Sequence, residues 1–97
     1  MKRVVVQYKL RVERVVEHEA LLAAVFEELS AASPDGFGYE VLKLADGVSF
    51  VHSATLSGEN PLPALQAFKR FVARIDERCE SPPKTSAATL AGSFPPP

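Results

Sequence analysis

His52 is the residue of this chain whose chemistry stands out. It sits inside "SFVHSATL", Ser49 to Leu56, where Phe50, Ala54 and Leu56 alternate with Val51, Ser53 and Thr55. Alternation with period two reads as a half-buried strand. His52 therefore shares the apolar face with Phe50 and Leu56. An imidazole titrates near neutrality, so there it is able to act as a general base or to donate a hydrogen bond to a substrate carbonyl. The same placement suits a buried neutral histidine satisfied by a neighbour or a water. A third reading puts the ring at an interface.

Other residues group around it by spacing. Tyr8 falls on the inward face of the first strand, where its ring fills core and its hydroxyl requires a partner. Tyr39, Phe50 and Phe68 complete an expected ligand pocket, with Phe26 and Phe71 as core or pocket wall. His18 lies on the apolar stripe of the first helix, and its place near the helix start suggests a half-exposed ring. Cys79 is the single cysteine; it ends a helical stripe, reads as a small hydrophobe and permits no internal disulfide.

Several chemistries are missing from the sequence. No Cys-x-x-Cys, His-Glu-x-x-His or calcium-loop spacing occurs, and two histidines alone do not complete a usual zinc site. No metal and no cofactor are expected. After the first strand, "KLRVERVV" has no glycine to bring backbone amides to a phosphate, which argues against an acylphosphatase-like enzyme. A net charge of −1 without a basic cluster argues against nucleic acid and membrane surfaces as partners. No apolar run approaches the roughly 20 residues of a membrane span. The N-terminus opens on a strand with no secretory pattern, so a cytoplasmic protein is expected.

The elements that must position these residues follow from periodicity. Val4 to Val12 alternates as a strand. From about Glu13 to Ala32, Val15, His18, Leu22, Val25, Phe26 and Leu29 form one helical stripe. "SPDG" at Ser33 to Gly36 stops that helix. Phe37 to Leu44 is a second strand, "ADG" at Ala45 to Gly47 a hairpin turn, and Val48 to Leu56 a third strand. Asn60 and Pro61 start a second helix, whose inward stripe is Leu65, Phe68, Val72, Ile75 and Cys79. "ESPP" ends it, and Thr85 to Phe94 is a weak fourth strand.

The order is β-α-β-β-α-β: α+β, ferredoxin-like, with a four-stranded antiparallel sheet and two helices on one face. Residues 1–94 form a single domain and 95–97 a proline tail. The second sheet face carries Val5, Gln7, Lys9, Arg11, Val51, Ser53 and Thr55. It is too mixed for a core, yet richer in β-branched residues than most solvated faces, so a homodimer through it is expected. Phe94 and the closing prolines are expected to pack on the body or on the partner.

Hairpin register decides the neighbour of His52. A two-residue Asp46-Gly47 turn sets it opposite Val41 with Tyr39 diagonal; a bulged three-residue loop sets it opposite Glu40. The aromatic match of Phe37, Tyr39 and Phe50 favours the first.

Taken together, the strand-helix-strand-"DG"-"SFVHSATL"-helix pattern over residues 3–94 resembles the dimeric α/β-barrel superfamily, in its antibiotic-biosynthesis-monooxygenase-like branch. It is also similar to a narrower set of small bacterial proteins with a "DGVSFVH…GENPL…F…RCE-PP"-like pattern. The resemblance implies two subunits packed sheet to sheet, with a pocket in each between sheet and helices. It also implies a cofactor-independent monooxygenase-like activity on a small organic compound, with an aromatic one as an option, and with His52 catalytic. The alternative is a non-catalytic ligand-binding or structural dimer. Monooxygenases of this branch often end the third strand in tryptophan, four residues after a polar residue; Leu56 and His52 hold those positions here. The chain has no tryptophan, which also counts against the chemistry of haem-degrading relatives.

Overall fold

A computed structural model describes residues 1–97. Four strands form one antiparallel sheet: β1 at Lys2–Leu10, β2 at Phe37–Lys43, β3 at Ser49–Leu56 and β4 at Cys79–Ala88. Their spatial order is β2-β3-β1-β4, so the first and third strands occupy the centre. This is the ferredoxin-like α+β arrangement. Three helices cover one face: α1 at Val15–Ala32, α2 at Gln66–Val72 and α3 at Ile75–Arg78. No helix is long and apolar enough to cross a membrane.

Sheet register follows from alternation. Along β3 every second residue, Phe50, His52, Ala54 and Leu56, is buried. A one-residue slip would turn this whole set outward, so the register is strongly specified. Opposite His52 stand Val6 on β1 and Val41 on β2. The register is therefore the one that makes Tyr39 diagonal to His52. The connection is longer than a two-residue turn: Leu44 and Ser49 flank it, with a turn closed by Gly47 N–H donating to the Leu44 carbonyl at 3.0 Å. Gly47 takes φ +78, where glycine escapes a Cβ clash. Asp46 accepts from the backbone of Val48 and Ser49 and from the Ser49 hydroxyl, which fixes the loop.

Helix α1 packs through His18, Val25 and Leu29. It also organises its neighbour: Glu28 Oε1 accepts from Ala67 N–H at 2.8 Å, supplying the cap that α2 lacks in its own sequence.

The C-terminal third departs from the sequence reading. A single helix from Pro61 to Cys79 was expected; the chain instead makes a short 3-10 turn at Leu62–Ala64, then α2, then α3. Asn60 caps that turn, its Oδ1 accepting from Leu62 N–H at 3.0 Å. Between α2 and α3, Arg74 adopts φ 59, a left-handed conformation that breaks the helical path. Strand four was expected at Thr85 to Phe94 and runs at Cys79–Ala88 instead. Pro82 and Pro83 lie within it, not at a stop. They are tolerated because β4 is an edge strand and its register against β1 shifts between Gln7 and Leu10. Phe94 is 98% exposed and does not pack on its own subunit. With β4 ending at Ala88, nothing of the sheet reaches that far to cover it.

Candidate functional site

Between the sheet and α2 lies a cavity of about 340 Å3, within the size range of small-molecule sites. Its floor is Val4, Val6 and Ala54; Leu62, Phe68 and Phe71 close the helical side. Asn60 and Thr85 add polar groups to the lining, and Tyr8, Tyr39 and His52 form a polar pole in the otherwise largely apolar wall.

These side chains form a continuous hydrogen-bonded line. Tyr39 Oη lies 2.6 Å from His52 Nδ1. Tyr8 Oη lies 2.7 Å from His52 Nε2 and 2.6 Å from His18 Nε2. Arg78 Nε donates to His18 Nδ1 at 3.1 Å. The topology accounts for it: Tyr8 pairs with Phe50 across the β1–β3 ladder, two positions from His52 and on the same face. His18, one turn into α1, hangs over Tyr8. Arg78 closes α3 and turns inward beneath α2, where Nη1 and Nη2 bond the carbonyls of Ala73 and Phe71. Those carbonyls belong to the C-terminal end of α2, a favourable place for a cation. The guanidinium also lies 5.6 Å from the centroid of the Phe71 ring.

Burial governs the ionisation of the line. His18 is 0% exposed and His52 6%. Desolvation pulls both imidazoles down to about 4, and at His18 the nearby Arg78 charge adds to the effect. Both rings are thus neutral at pH 7. Burial pushes the phenols of Tyr8 and Tyr39 above their ordinary range, so both keep their protons. Every buried side-chain nitrogen and oxygen has a partner. No group of three or more His, Cys, Asp or Glu side chains gathers anywhere in the chain.

Three solved structures illustrate what the chain is similar to. An antibiotic biosynthesis monooxygenase superimposes with a TM-score of 0.76 at 17% identity, covering 95% of this chain and 100% of that one. A protein from Mycobacterium tuberculosis gives 0.73 at 18%, covering 95% and 96%. A cofactor-independent oxygenase from Streptomyces nogalater gives 0.69 at 17%, covering 98% and 97%. The fold is that of the antibiotic-biosynthesis-monooxygenase-like proteins. No protein-family model matches the sequence, and no curated protein does. At these identities the likeness concerns the fold alone.

Within this fold, His52, Tyr8, Tyr39 and Phe68 all line the cavity. Phe50 does not: it stacks on Tyr8 at 5.7 Å and supports the pole from beneath. His52 has both ring nitrogens occupied by tyrosines; of the two hydroxyls, that of Tyr8 has two side-chain partners and that of Tyr39 has one. His18 was expected half exposed and is the most buried polar residue of the chain, because its stripe faces the sheet and both its nitrogens find partners inside. Sequence reasoning did not single out Arg78. A signal existed: Phe71, Ile75 and Arg78 recur at helical spacing, which sets an arginine on an apolar stripe.

Proposed function

We propose that this chain binds a small, planar aromatic compound in the cavity and oxidises it without a cofactor, with molecular oxygen as co-substrate. The observation that supports this reading is the cavity itself: a mostly apolar slot in which Tyr8, Tyr39 and His52 form one hydrogen-bonded cluster. Ring carbons would lie against Val6, Phe68 and Phe71, and an oxygen substituent would meet Tyr39 beside His52. A methylene next to an aromatic ketone reacts with O2 to give a second carbonyl and water, a balanced conversion in which the substrate supplies the electrons. The protein's part is to orient the ketone and to favour its enolate form.

The functional unit in this reading is a homodimer. Supporting it is the sheet face free of helices, where Val5, Val51, Ser53 and Thr55 are half-buried and Leu42 is 56% exposed. Pairing two such faces would remove the exposed Leu42 and the half-buried Val5 and Val51 from water along with the β-branched residues around them.

Incubation with two- and three-ring phenols and ketones under isotopically labelled oxygen tests the activity. Label entering a product, with oxygen consumed in step, supports it. A second reading, a binding protein without turnover, is favoured by the occupancy of both His52 nitrogens, which leaves no free base at the pole. Ligand-induced stabilisation without oxygen uptake would select it.

A further inference from the structure

Hydrogen-bonded lines of histidines and tyrosines usually run either way, because each member both donates and accepts. This one is anchored at an end that only donates. Arg78 is 2% exposed and carries no acceptor, so His18 Nδ1 must accept from it. The neutral His18 ring then holds its proton on Nε2 and donates to the Tyr8 oxygen. Tyr8 has one hydroxyl proton and one remaining partner, His52 Nε2. His52 therefore carries its proton on Nδ1 and donates to the Tyr39 oxygen. The Tyr39 proton is left with no acceptor in the protein, and Tyr39 lines the cavity.

We propose that Arg78 is a positioning residue that polarises this line outward, so that Tyr39 presents a hydrogen-bond donor to the cavity and selects ligands whose oxygen is ionised: phenolates and enolates. This rests on the cavity reading above and names the form of ligand that the cavity takes. Two features reinforce it. No carboxylate pairs with Arg78; the four ion pairs of the chain all lie elsewhere. Its direct hydrogen bonds all go to backbone carbonyls and to the line itself, with the Phe71 ring beside it; the Glu17 carboxylate acts on it only through space, being bonded to Arg14. Each bond in a chain of aligned donors also strengthens the next, and a charged acceptor makes the last one stronger still. The polarity further assigns His52 a donor's role toward Tyr39, and it excludes Tyr39 as an acceptor of a ligand's proton through that line.

Histidine tautomers report the polarity directly by nitrogen-15 NMR of the unliganded protein. The expected result is protonated Nε2 at His18 and protonated Nδ1 at His52. Protonated Nε2 at His52 overturns the proposal. In Arg78→Gln, whose amide both donates and accepts, His52 should become a mixture of tautomers. Arg78→Lys, a donor only, should restore the single form. If Arg78→Gln fails to fold, the wild-type tautomers still decide. Ligand selection is read with two probes of one size, 4-nitrophenol above its pKa and nitrobenzene. The phenolate should bind at least about tenfold tighter, and Tyr39→Phe should remove the preference while nitrobenzene binding stays. Equal binding of the two probes overturns the proposal and leaves the cavity reading intact. Binding of neither overturns the cavity reading, and the ligand assignment falls with it.

Discussion

Tyr8 and His52 stand 44 residues apart in sequence and share a 2.7 Å hydrogen bond. Two adjacent central strands make the contact: Tyr8 faces Phe50 across the ladder, and His52 is the next inward residue along β3. Through this bond the fully buried His18 on α1 is linked to the cavity-lining Tyr39 on β2. Helix α1 is thereby coupled to the Tyr39–His52 pair of β2 and β3 through one hydroxyl on β1.

Replacing that junction should be expensive. Tyr8→Phe keeps the ring in its stack with Phe50 but leaves His18 Nε2 and His52 Nε2 without their shared partner. Loss of about 1–3 kcal/mol is expected, the range for unsatisfied buried groups. Urea unfolding of the variant measures it, and a change near zero would mean that water replaces the hydroxyl.

His52→Phe tests the same network from its centre. The strand accepts an aromatic ring, so the fold should persist. Tyr8 and Tyr39 both lose a partner, and stability should fall by about 1–3 kcal/mol. Turnover of any identified substrate should fall as well, since Tyr39 loses the bond that orients it. Retained turnover with lowered stability would make His52 structural only.

Acid should destabilise the protein through the two histidines. Their folded values, about 4, lie below the ordinary 6.5. The unfolded chain thus binds more protons than the folded one between those values, and stability falls as pH drops through that window. It is fully present above about 6.5. Chemical denaturation at pH 7, 6, 5 and 4 should show a progressive decline of at most about 6 kcal/mol in total, by the usual relation of about 1.4 kcal/mol per pH unit for each of the two groups. A flat profile would mean that water reaches the rings. Asp46, held near 2 by its turn hydrogen bonds, adds its loss only at lower pH.

Val51→Glu probes the open sheet face. Val51 is half-buried on that face, opposite Gln7 and Leu42, and touches no part of the polar line. The wild-type chain should scatter light as a dimer at micromolar concentration. The variant should weaken association at least about tenfold, since two copies would set like charges against each other, while its far-ultraviolet circular dichroism stays unchanged. A wild-type monomer would contradict the proposed dimer outright.

Much of this molecule was legible in its residues. Strict alternation at Phe50, His52, Ala54 and Leu56 assigned β3 and its buried face, because a strand's two faces differ by single positions. The stripe through His18, Val25 and Leu29 assigned α1. Aromatic matching at Tyr39 chose the hairpin register. These are local signals, set by the period of the backbone and by which side meets water.

What the sequence could not determine depended on contacts between distant segments. Arg74 is not a residue type that announces a left-handed break, so the division of α2 from α3 was invisible. That break sends Arg78 inward and lets β4 begin at Cys79, ahead of two prolines that otherwise read as a stop. Arg78 and His18 are separated by 60 residues, and no periodicity joins them. Only the packed fold brings a donor-only cation to one end of a line of ambivalent groups, and so decides where each proton sits.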